Sequence, residues 1–211
     1  MSDARGAVKP RRTQAQRRDE SERHLLEVTA RLVAERGTAG ASFTDIAVAA
    51  GCSRSLPHYL FGTKLALLQR LAEDATDQFL EHLLGSELDE EGGLAAVTSC
   101  LDVFIRSLAH PWPRTRAIYG LIAESLGSLT ELRPIIDHHH EVIRAHVARW
   151  IREGVERQEI RADVDVDAQA TVVVGLLRGI GLQVLAEPDR FDVARLAAEA
   201  VESTRRSLAV G

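Results

Sequence analysis

The chain has 211 residues, 45% of them hydrophobic and only 4% aromatic, so it can bury one large or two small cores built mostly from Leu, Val, Ile and Ala. A formal net charge of −5 argues, on its own, against a nucleic-acid partner; but residues 1–70 hold 12 Lys/Arg against 7 Asp/Glu, and the remainder 14 against 24. The positive end is where a phosphate partner would sit.

Two cysteines, Cys52 and Cys100, do not make a disulfide framework and suit reduced thiols. The N-terminus lacks the apolar core of a signal peptide. The most apolar run, residues 171–185, is short for a membrane span and contains Arg178. A cytoplasmic protein with no membrane partner is expected.

In chain order, residues 1–14 read as a flexible basic arm, whose Lys9-Pro10-Arg11-Arg12 suits a minor groove; the plainer alternative is a solvated tail. A first helix is predicted over residues 15–36, with Leu25, Val28/Thr29 and Leu32 on one face and Gly37 as its C-cap. Residues 42–64, SFTDIAVAAGCSRSLPHYLFGTK, then carry the spacing of a helix-turn-helix. Ser42 can cap a short helix whose first turn holds Asp45. Ile46, Ala47 and Ala50 form its buried stripe, and Gly51 can take the positive φ of the turn. Ser53 can cap a second helix, placing Arg54, Ser55 and Leu56 in its first turn, where Arg suits guanine and Leu a thymine methyl. His58, Tyr59 and Lys64 offer donors for phosphates. Pro57 opposes an early helix start, because its ring clashes with the carbonyl four residues back. Starting the helix later, with Ser55 as cap, puts Pro57 in the tolerated first turn.

This stretch resembles the DNA-binding domain of the TetR family of transcriptional regulators, whose members read like T-V-x-D-I-A-x-x-A-G-V-S-x-x-x-L-Y-x-H-F-x-S-K. Asp45, Ile46, Ala47, Ala50, Gly51, Ser53, Phe61 and Lys64 match that pattern. Pro57 and His58 depart from it, standing where the family has Leu and Tyr. The resemblance implies a DNA-binding domain over residues 15–70, with Ser42, Thr44, Ser53, Arg54, Ser55, Leu56, His58, Tyr59 and Lys64 at the DNA. Residues 71–211 would then form a ligand-binding and dimerisation domain.

A fourth helix is predicted from Thr63 to about residue 84, with Leu68, Ala72, Ala75, Phe79 and Leu83 as its stripe. Its first half belongs to the head and its second half to the next domain. Residues 85–93 read as an acidic loop. A fifth helix follows with Leu94, Val97, Leu101, Phe104/Ile105 and Leu108, ended by Pro111-Trp112-Pro113. Helices over 114–127 and 131–157 come next, the latter with Leu132, Ile136, His139, Ile143, His146/Val147 and Trp150 on one side. Asp167 is a plausible cap for an eighth helix, and a ninth runs over about 192–208.

The eighth helix is apolar on nearly all sides, with Gly175 and Gly179 sharing a face. With Leu182, and with Ala194, Ala198 and Val201 of the ninth, it is the expected dimer surface; packing within one subunit is the alternative. The sequence GLLRGIGLQ there resembles a TetR-family C-terminal pattern. The resemblance also implies a pocket among Phe104, Trp112, Tyr119, Ile122, Glu124, His139, Ile143, Val147, Trp150 and Arg178, each of which is by itself better explained by core packing. His138, His139 and His140 point about 100° apart on a helix and cannot share one ion, so no metal or cofactor is expected. No GxSxG, Walker, HExxH or paired-Cys motif supports an enzyme.

The expected protein is all-α with about nine helices: a homodimeric regulator, more a repressor than an activator by resemblance. It would bind a pseudo-palindromic double-stranded operator and be released by a small-molecule effector. The competing readings are a helical small-molecule binder or an enzyme, neither with specific DNA binding.

Overall fold

A computed structural model describes residues 13–83 and 90–210, with side chains as far as Glu81 in the first segment. The Lys9–Arg12 arm and most of the acidic 85–93 loop lie outside the described residues. Nine α-helices are present among the described residues: α1 (Gln14–Arg36), α2 (Phe43–Ala49), α3 (Ser55–Phe61), α4 (Lys64–Leu83), α5 (Gly93–Ser107), α6 (Pro113–Ser125), α7 (Arg133–Glu156), α8 (Val166–Ala186) and α9 (Val193–Leu208). A 3₁₀ turn, Thr130–Leu132, leads into α7. No strand occurs among the described residues, only an isolated bridge between Ile160 and Ala209.

Local chemistry sets the helix ends. Thr13 and Gln16 form a capping box at α1. Pro113 opens α6 at a position where its missing N–H loses nothing. Asp192 caps α9, accepting from the Arg195 N–H at 3.0 Å. At α8 the cap is Asp165, which accepts from the Ala168 N–H at 3.1 Å. Asp167, the expected cap, lies inside the first turn instead and pairs with Arg152. The extended backbone needed at a cap falls at 165, and the helix starts two residues earlier than a cap at Asp167 would give.

Packing then fixes the tertiary arrangement. Leu25, Leu26, Val28, Leu32 and Val33 of α1 are buried with Ile46 of α2 and Leu67, Leu68 and Leu71 of α4. Each such side chain stabilises by about 1.5–3 kcal/mol, more than the roughly 1 kcal/mol of a cap. The core therefore holds the head, and the caps decide where its helices begin. This cluster does not stop at residue 70: Ala117, Ile118 and Leu121 of α6, and Leu132 and Ile136, belong to it. A second cluster joins α5, the later part of α7, α8 and α9 around Trp150, Leu101 and Leu177, with Phe79 and Leu80 of α4 against it. One helix, α4, thus contributes to both cores.

Gly37 closes α1 with φ 67° and ψ 176°, a backbone state that a side chain strains. A Cβ there would meet only ordinary contacts. Gly37→Ala is expected to destabilise by about 1–3 kcal/mol through the backbone alone, read as a lower denaturant midpoint with unchanged slope.

Helix α8, with 21 residues, is longer than the run read from sequence and has the length and hydropathy of a membrane span. Its inner face, Ala170, Val173, Leu177 and Val184, is buried in the second cluster.

Candidate nucleic-acid interface and internal cavity

The α2–turn–α3 unit is built by short-range chemistry. The Ser42 hydroxyl accepts from the Asp45 N–H at 3.2 Å, and the Asp45 carboxylate accepts from the Ser42 N–H at 3.1 Å. The Ser42 hydroxyl also donates to that carboxylate, and this bond first, then the one from the Ser42 N–H, holds the Asp45 carboxyl below its ordinary pKa. Gly51 turns the chain at φ 64°, and the Cys52 N–H donates back to the Ala47 carbonyl at 3.0 Å. Helix α3 begins at Ser55, with Arg54 at the cap position and no side-chain cap; Ser53 does not fill that role. Pro57 is buried as the third helical residue, in the tolerated first turn.

Thr44, Ser53, Arg54, Ser55, His58 and Tyr59 form an exposed face, with Tyr59 73% exposed. His58 is steadied edge-on by Phe43 at 6.0 Å. Ser42 is half-buried in its capping box. Two other expected DNA residues have duties within the fold. Leu56 is half-buried against the head core. The Lys64 ammonium donates to the Thr38 carbonyl at 2.5 Å.

A cavity of about 260 Å³ lies between α4, α5, α6, α7 and α8. Phe104, Trp112, Tyr119, His139 and Arg178, all expected at a pocket, line it. Ile122, Glu124, Ile143, Val147 and Trp150 do not. Ile143, Val147 and Trp150 are fully buried in side-chain packing, and Ile122 packs against the head core. Glu124 accepts hydrogen bonds from both the N–H and the hydroxyl of Thr38, tying α6 to the loop after α1. The residues missed from sequence are Ala75, Gln78 and Phe79 of α4, Val103 and Ser107 of α5, and Arg114, Thr115 and Ile118 of α6. The Phe79 position on the α4 stripe was the available signal.

One wall is a directed hydrogen-bond chain. The Thr76 hydroxyl donates to the Ala72 carbonyl at 2.8 Å, so it accepts from His139 Nδ1–H at 2.7 Å. That leaves His139 Nε2 as a lone pair for Arg178 Nη2–H at 2.6 Å. Burial first, then the Arg178 charge, pushes the His139 pKa down to about 2, so the ring is neutral. The Arg178 guanidinium stacks over Phe79 at 5.9 Å and Tyr119 at 5.7 Å. The Tyr119 hydroxyl donates to the Leu177 carbonyl at 3.0 Å. Gly181 faces Tyr119 so closely that an added Cβ would strike its hydroxyl end. That glycine therefore makes room for the cavity wall.

On the far side of α8, Gly175, Gly179 and Leu182 are exposed, and a Cβ at either glycine would meet open space. On α9, Ala194 and Ala198 are exposed and Val201 is half-buried. The buried stripe of α9 is Ala197, Ala200, Thr204 and Leu208, laid along α5 of the same subunit.

Comparison with known proteins gives the same architecture. The fatty acid degradation regulator FadR from Bacillus halodurans superposes with a TM-score of 0.77 at 18% identity, over 88% of this chain and 94% of that one. FadR from Bacillus subtilis, in complex with stearoyl-CoA, gives 0.76 at 18% identity, over 86% and 96%. AibR, in complex with isovaleryl coenzyme A and operator DNA, gives 0.70 at 22% identity, over 87% and 97%. Residues 25–71 match the family model "Bacterial regulatory proteins, tetR family", and residues 93–200 match "Tetracyclin repressor-like, C-terminal domain". The second match alone spans half the sequence, and the chain belongs to the TetR family of transcriptional regulators.

Proposed function

We propose that this ligand-responsive DNA-binding regulator is a homodimeric repressor that binds a pseudo-palindromic operator and is released when a small molecule fills the cavity. The observation that carries the reading is the exposed face of the helix-turn-helix, with Arg54 and Ser55 at the entry of α3 and Thr44, Ser53, His58 and Tyr59 around it. Such a face suits base edges in a major groove and the flanking phosphates. Residues 15–70 would act as the head, with Ser42 setting its geometry, and 71–211 as the effector and dimer part. The exposed strip of α8 around Gly175, Gly179 and Leu182, continued by Ala194, Ala198 and Val201 of α9, is apolar and small enough for close helix approach across a two-fold axis.

Effector and operator affinities oppose each other when each ligand favours a different head position. Two features suit that coupling: α4 packs into both cores, and Glu124 bonds α6 to the head through Thr38. AibR, with its acyl-CoA and operator, is a structural precedent for such a pairing.

The test is selection of bound duplexes from a random pool at near-physiological salt. A two-fold symmetric site is expected. Arg54→Ala should then relax preference at one base position in each half-site by about 1–3 kcal/mol. Recovery of no consensus by folded, ligand-free protein would refute the operator reading.

A further inference from the structure

The cavity holds a positive charge with no acidic partner among the described residues. Arg178 lies among Cys100, Tyr119, Phe79 and His139, and no Asp or Glu among the described residues pairs with it. Its hydrogen bonds go to uncharged groups, the neutral His139 imidazole and the Tyr119 side chain, and its Nε is buried with no partner among the described residues. Burying an unpaired guanidinium is costly, and proteins ordinarily pair such a group. The other cation on the lining, Arg114, is already paired with Asp74. The site thus has one uncompensated positive charge within mostly apolar, aromatic walls.

We propose that the ligand of this cavity is a monocarboxylic acid with an apolar body, and that Arg178 is the residue that holds its carboxylate. The inference rests on the effector reading of the cavity and names the ligand class. A carboxylate supplies the counter-charge and accepts from the unpartnered Nε–H. The His139–Thr76–Ala72 chain fixes the guanidinium from behind, so that its remaining donors face the ligand before it arrives. Phe79, Phe104 and Trp112 provide the surface for the apolar body. A polyanion is a poor match, because a single free cation would leave its other charges buried without partners.

The experiment uses full-length protein and matched probe pairs: straight-chain alkanoates of 4–12 carbons and 3-phenylpropionate, each beside its primary amide. Binding is followed by calorimetry, and release of a selected operator duplex by fluorescence anisotropy. At least one acid is expected to bind on the order of ten- to a hundredfold tighter than its amide. Arg178→Met should erase that preference, and Arg178→Lys should keep part of it. The wild-type comparison needs no variant to fold.

Equal binding of acids and amides, or tighter binding of amides, overturns the assignment of Arg178. If amides alone bind and release the operator, the acid inference fails and the effector reading stands. If acids bind selectively and the operator stays bound, the acid inference stands and the effector reading fails. If no probe binds, both fail.

Discussion

Trp150→Ala is expected to lower the free energy of unfolding by about 3–5 kcal/mol. Trp150 is fully buried and is the largest side chain in the second core. Its removal leaves a hole that α5 and α8 can close only in part. Trp112→Ala should cost less than about 1 kcal/mol, because that ring is 46% exposed at the cavity. Ligand affinity is expected to respond in the opposite order, with Trp112 mattering more. Trp150→Phe refines the point: the indole N–H has no hydrogen-bond partner among the described residues, so losing it removes an unsatisfied donor and offsets part of the lost volume. Chemical unfolding of the three variants, with calorimetry on any ligand found, checks the ranking. Equal stability losses for Trp150→Ala and Trp112→Ala would mean that Trp150 does not anchor the core.

The two tryptophans show where sequence reading stops. Residues 42–64 were legible because caps, a turn glycine and a first-turn proline act over three or four residues. Ser42, Asp45 and Gly51 do in the structure what their chemistry requires. The two starts expected for α3, with Ser53 or Ser55 as cap, are both displaced: Arg54 is the cap and the helix begins at Ser55, late enough to keep Pro57 in the first turn. The lining of the cavity was legible only in part. His139, Ile143, Val147 and Trp150 share one face of α7, and periodicity treats them alike. Only the first meets the cavity; the other three are fully buried, Val147 and Trp150 in the second core. How far a cavity extends along a stripe depends on how neighbouring helices cross, which no local pattern records. Glu124 is the same lesson in reverse: an apparently suitable polar group for a ligand is taken by Thr38, 86 residues away in sequence.

The second large effect is expected in acid. His139 accepts a proton in the folded chain only near pH 2, because burial and the Arg178 charge exclude the imidazolium. In the unfolded chain the same ring titrates near 6.5. Below about pH 6.5 the unfolded state therefore binds a proton that the folded state refuses. Stability is fully present above that pH and falls by about 1.4 kcal/mol for each unit down toward pH 2. His140 adds a smaller slope of the same sign, since burial and the Arg178 charge depress it as well. Carboxylates add their own acid dependence, so the informative quantity is a difference. His139→Gln keeps a neutral donor and acceptor between Thr76 and Arg178 without the titration. The variant is expected to be less stable than wild type at pH 7.5, to close the gap as the pH falls, and to be the more stable protein by about pH 4.5. Urea unfolding at half-unit pH intervals measures both curves. Parallel curves from pH 7.5 to 4.5 would mean that His139 carries its proton in the fold, which would remove the Nε2 lone pair that accepts from Arg178 and leave Arg178 beside a second cation.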